Sequence, residues 1–216
     1  MEERSNLLSR TFLWMFLGLL GTGIVAWYCY STDAFITLAS EGTLGIIVIV
    51  ELAVVIIFSL LFRKLSPTVV AILYFVYAFV NGVSLSSIFY VYELNSIIQL
   101  FLVSALIFGG LSLYGYKTQK DLSSWGTILM GLLIGGLILS IINIFIGNST
   151  FDLLLDWLIL AVFFGVTIYD LNQVRMLEQA QELDQEKLHI YCAMQIYLDF
   201  INIFIRILSL FGKRRD

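Results

Sequence analysis

Six apolar stretches follow one another with only short polar connections between most of them: Thr11 to Tyr30, Leu44 to Phe62, Val69 to Tyr90, Ile97 to Tyr116, Ile128 to Ile146 and Leu153 to Tyr169. A helix crosses the hydrocarbon of a bilayer in about 20 residues, and each stretch comes close to that length. A seventh, Ile190 to Phe211, is long enough but carries more polar residues. Of the 216 residues 60% are apolar and only 13% charged, so a water-soluble core under a polar shell cannot be built from this chain. One proline and sixteen glycines spread over such runs favour helices, because barrel strands would alternate over about ten residues. The expectation is an all-α integral membrane protein, one polytopic domain over residues 1–216, embedded in the lipid bilayer of the cell membrane.

Composition also excludes several functions. The net charge is -4 and bases are few, so nucleic acid is not a partner. Cys29 and Cys192 have no CxxC spacing and lie in or beside apolar runs, where cysteine behaves as a small hydrophobe. His189 is the lone histidine, which rules out a multi-histidine zinc site, and no cofactor is expected. The opening "MEERSNLLSRTF" leads into a run of spanning length without a small-residue cleavage site and reads as the start of a first span.

Lysine and arginine near span ends set orientation. The N-terminal tail has Arg4 and Arg10, the second connection Arg63 and Lys64, the fourth Lys117 and Lys120, the sixth Arg175 and Lys187. The first, third and fifth connections carry Asp33, Glu41, Glu93 and Asp152 but no base. The N-terminus is therefore expected in the cytoplasm. A fully spanning seventh run puts "GKRRD", with three bases, outside; length favours spanning over re-entry. Gly131 and Gly135, four apart in run five, are expected to let helices pack closely.

Ionisable groups inside a span are expensive and face a cavity or the bundle interior. Those here are Glu51, Asp170, Asp199 and Arg206, joined by the amides Asn81, Asn143, Gln195 and Asn202. Asp156 lies about one turn inside run six and is expected at the interface. At about 100° per residue, Gln195, Asp199, Asn202 and Arg206 fall within an arc of roughly 60°. Such a stripe cannot face lipid, which makes helix seven central, wrapped by helices one to six or lining a hydrated path. One reading of the stripe is a packing network in which Asn202 bridges Asp199 and Arg206; the other is a site where Asp199 titrates or binds a cation such as calcium. Asp199 lies roughly 13 Å inward along its helix from the cytoplasmic end, close enough for a modest extension or tilt of helix six to bring Asp170 to it. Two carboxylates in one low-dielectric site cannot both ionise cheaply and titrate as a unit. Arg63, on the same side as Asp170, is a candidate partner when they separate, and Glu51, roughly 18 Å deeper, is a candidate ion-pathway acid.

The segments "FVYAFVNGVSLSSIF", "TIYDLNQV" and "YLDFINIFIRIL" resemble the transmembrane Bax inhibitor motif family in its small bacterial form, and the likeness extends over nearly the whole chain. The resemblance implies a central seventh helix surrounded by two layers of three, and a pH-sensitive calcium leak gated by an aspartate pair. Here that pair is Asp170 and Asp199, which would also be the transient calcium ligands. Arg63 is then the latch that takes Asp170 when the path opens. Glu51 lies on the ion pathway, with Asn202 and Arg206 further along the helix-seven stripe. Calcium is transported, not resident. Two other readings stand beside this one. An intramembrane aspartyl protease would use the same two carboxylates, but Asp199 sits in "YLDF" rather than GxGD and the lone proline, Pro67, excludes a proline-alanine-leucine motif. A non-transporting scaffold that regulates protein partners would use the stripe for packing alone.

Overall fold

The computed structural model describes residues 6–180 and 185–215. Arg4, used above to orient the chain, Asp216 of the C-terminal tail and residues 181–184 of the acidic sixth connection lie outside them. Among the described residues every long element is a helix: α1 Asn6–Ser31, α2 Ala34–Ser40, α3 Leu44–Leu61, α4 Pro67–Leu85, α5 Ile88–Val91, α6 Leu94–Lys117, α7 Ser123–Ile146, α8 Ser149–Ala180 and α9 Gln185–Phe211. Among the described residues seven spans are long and apolar enough to cross a membrane, α4 and α5 forming one of them. The protein is an all-helical, multi-pass membrane protein.

Local chemistry explains where the helices begin and end. Ser66 caps α4, its hydroxyl accepting from the Val69 amide, with Pro67 in the first turn where its missing N–H is no loss. The third apolar run is not one helix: the hydroxyls of Ser86 and Ser87 donate back to Val83 O and Ser84 O and interrupt it. Asp121 accepts from the Ser123 amide at the start of α7, and α7 stops at Gly147, whose φ of 69° is left-handed. Asn148 then caps α8 through Thr150 N and Phe151 N. Helix α8 runs on past its apolar stretch, to Ala180.

The chain forms two compact units. Of the described residues, one holds 6–92, 185–197 and 214–215; the other holds 93–180 and 198–213. In the first, α1 and α3 pack on α4. Gly82 of α4 meets α1 so closely that an added Cβ would lie 2.7 Å from Thr22 O. The first half of α9 joins them through ring contacts of His189 with Trp14, Tyr191 with Phe58 and Phe62, and Tyr197 with Tyr74 and Tyr77. In the second unit α6 and α7 pack on α8, and Phe200 and Phe204 of α9 meet Phe101 edge-on.

Helix α9 is the most enclosed span: 56% of its apolar window is buried, against 11% for α3 and for α7. It is unbroken to Phe211, and the tail beyond is tied to the turn between α5 and α6. Lys213 pairs with Glu93 in one unit, while in the other Arg215 N donates to Val91 O and its side chain to Tyr30 and Phe89 O. The glycine expectation is corrected. A Cβ on Gly131 or Gly135 would meet nothing within 4 Å, whereas Gly136 faces Ile159, so the helix contact lies one position round from the anticipated face.

Candidate functional site

The two aspartates that interrupt apolar helices both belong to the second unit. Asp170, in α8, and Asp199, in α9, are buried, with relative exposures of 7% and 2%. Asp199 feels the charge of Asp170 and lies within reach of the Thr167 hydroxyl, one turn before Asp170. That hydroxyl has a competing acceptor in Phe163 O at 2.9 Å. One Asp199 oxygen, Oδ2, is buried without a hydrogen-bond partner among the described residues. A bare carboxylate oxygen costs the full desolvation of the group unless a proton or cation supplies what is missing. Two carboxylates so enclosed can hold one proton between them and bind a cation when it leaves.

The elements that position Asp170 are visible in its surroundings. Asn172, two residues on and fully buried, donates to Thr118 O at 3.3 Å and Lys120 O at 3.2 Å in the α6–α7 connection. Tyr116 donates to Glu178 at 2.6 Å, and Arg175 to Gln119 at 3.2 Å. The C-terminal extension of α8 is thereby strapped to that connection, which fixes the end of the helix that carries Asp170.

The remaining sequence candidates have these places. Arg63 is exposed in the turn after α3, in the first unit. Glu51, half-buried in α3, accepts from Ser84 Oγ at 2.8 Å and has Asn81 within hydrogen-bonding reach. Asn202 donates to Leu198 O of its own helix at 2.8 Å, so it does not bridge Asp199 and Arg206. Arg206 is instead ion-paired with Asp156, whose other oxygen accepts from Ser209. Asp156, expected at the interface, is buried: α8 begins at Ser149, two turns before it, and an arginine fifty residues away supplies its counter-charge. Among the described residues no group of three or more His, Cys, Asp or Glu converges, so the pair is at most part of a cation's shell.

Sequence reasoning missed Thr167, Ser209 and Tyr197. The first two are hydroxyls in apolar helices that gain meaning only from a carboxylate on another helix. Tyr197 lies outside the stripe but reaches Thr22 and Asn81.

Comparison with known proteins agrees with the architecture. The family model described as "Inhibitor of apoptosis-promoting Bax1" matches residues 4–216. The inner membrane protein YbhL of Escherichia coli strain K12 is 38% identical over 214 residues, covering 96% of this chain and 92% of its own. The uncharacterized protein RP147 of Rickettsia prowazekii is 32% identical over 210 residues, 96% of this chain and 89% of its own. A Borreliella burgdorferi protein, also uncharacterized, is 30% identical over the whole of this chain and 97% of its own. With seven spans in place and that model matched from end to end, the chain belongs to the Bax inhibitor-1 family of membrane proteins.

Proposed function

We propose that the protein is a pH-sensitive calcium leak channel of the cell membrane, gated at its cytoplasmic side by a proton shared between Asp170 and Asp199. The observation that carries this reading is the enclosure of both carboxylates in one unit, each within the electrostatic reach of the other, with one Asp199 oxygen unpartnered. At low pH the shared proton holds α8 and α9 together and the path is shut. Its loss leaves two like charges in a poorly solvated site; they repel, Asp170 moves to Arg63, and a cation passes along α9. Glu51, Asn202 and Arg206 belong to the pathway.

The channel reading includes a central α9 surrounded by the other six spans, in two layers of three, with the N-terminus in the cytoplasm. The burial of α9 supports it, as do its side-chain contacts with α1, α3 and α4 in one unit and α6 and α8 in the other. The test is calcium entry into vesicles reconstituted with the purified protein. Entry above that of protein-free vesicles is expected; no entry with folded protein would favour a scaffold that acts through partners.

A further inference from the structure

A second polar network lies in the first unit and ends on Glu51. Tyr197 of α9 is fully buried, ringed by Tyr74 and Tyr77, and its hydroxyl donates to Asn81 Oδ1 at 3.1 Å. A phenol has one proton to give. Tyr197 gives its own to Asn81, and the Thr22 hydroxyl, 2.7 Å from the Tyr197 oxygen, also lies 2.9 Å from Gly18 O and from Ala78 O, so three acceptors compete for its single proton. Because Asn81 accepts through its oxygen, its amide nitrogen is the group turned to the Glu51 carboxylate within its reach. Ser84 donates to the same carboxylate from the next turn of α4. The donors from Tyr197 through Asn81 thus run one way, and they stop at Glu51.

A glutamate in a span that is only 11% buried has no reason to stay turned inward unless neighbours hold it. We infer that Tyr197 and Asn81 are positioning residues that aim and hold the Glu51 carboxylate as an acceptor-only group for a passing cation. The inference rests on the channel reading for the use of Glu51, but the relay itself can be tested without transport. Tyr197 also lies on α9 two residues before Asp199, so the relay links the pathway acid to the gate helix.

The experiment is infrared difference spectroscopy of the purified protein at neutral pH, with the Glu51 band assigned by subtraction of Glu51→Gln. A band in the ionised-carboxylate region that shifts in both Tyr197→Phe and Asn81→Leu is expected. A band in the protonated-carboxyl region, or one unmoved by Tyr197→Phe, overturns the inference whether or not the protein conducts. The same variants in calcium-uptake vesicles separate relay from scaffold. Tyr197→Phe should raise the calcium concentration for half-maximal entry by about fivefold, the scale of one neutral hydrogen bond, and add nothing in a Glu51→Gln background. Equal effects in both backgrounds would mean that Tyr197 acts on packing alone.

Discussion

Replacing Gly82 by alanine should destabilise the protein where α1 and α4 meet. The new Cβ would lie 2.7 Å from Thr22 O and 2.8 Å from Val25 Cβ, where ordinary contact begins at 3.4 Å. One of the two obstacles is backbone, so no rotamer change relieves it, and α1 and α4 must part by about 0.7 Å. Overpacking of this kind costs about 1–3 kcal/mol, a fall in midpoint of about 2–12 °C for a chain of this size. Cys29 and Cys192 are both buried and in no disulfide, so a thiol-reactive fluorophore reports unfolding in detergent directly. Gly23→Ala is the matched control: it lies in α1 with nothing within 4 Å of its added Cβ, and a helix-interior alanine there is neutral or stabilising by up to about 1 kcal/mol. A Gly82→Ala protein that melts at or above Gly23→Ala would refute the close approach of α1 and α4.

Breaking the Asp156–Arg206 pair from either side, with Asp156→Asn or Arg206→Gln, should lower stability by about 3 kcal/mol, the lower end for a buried pair because Arg206 keeps 29% of its side chain exposed. A double Asp156→Leu, Arg206→Met variant should recover most of it in the same melting assay, and additive losses would contradict the pairing. Single cysteines at Asp33, Asn95 and Arg215 should label from outside intact cells, and those at Lys64 and Lys120 only after permeabilisation; labelling of Arg215 from the inside alone would contradict a spanning α9. The Asp121 carboxyl, which accepts from Ser123 N at 2.8 Å, should titrate below the ordinary value of about 3.9. Because its folded value is depressed, its contribution to stability is present above that ordinary value and is lost as pH falls through the folded one. A carbon-detected titration with a midpoint at or above the ordinary value would contradict this cap.

The spans were legible because hydropathy is a local property: six of the seven runs each became one helix, and the third became α4 and α5. The short α2 and the break at Ser86 and Ser87 were not, since a seven-residue helix or two serines do not register against a long hydrophobic window. Asp170 and Asp199 stood out as charges in apolar helices. Asp156 was misjudged because its position along the chain suggests a helix end, while its partner comes from another helix. The Thr22–Tyr197–Asn81 relay joins residues up to 175 positions apart, and no spacing rule reaches that far. Gly131 and Gly135 show the converse: the four-residue spacing was present, but the phase of α7 turned that face away from its neighbour.

The account turns on whether Asp170 and Asp199 form the gate. The decisive measurement is calcium entry into reconstituted vesicles at stepped pH for wild type, Asp170→Asn and Asp199→Asn, each shown to be folded. Loss of the shared proton separates the pair, so wild-type entry should rise with pH, and neither asparagine variant should keep that dependence. A pH profile that Asp170→Asn leaves unaltered would contradict the account.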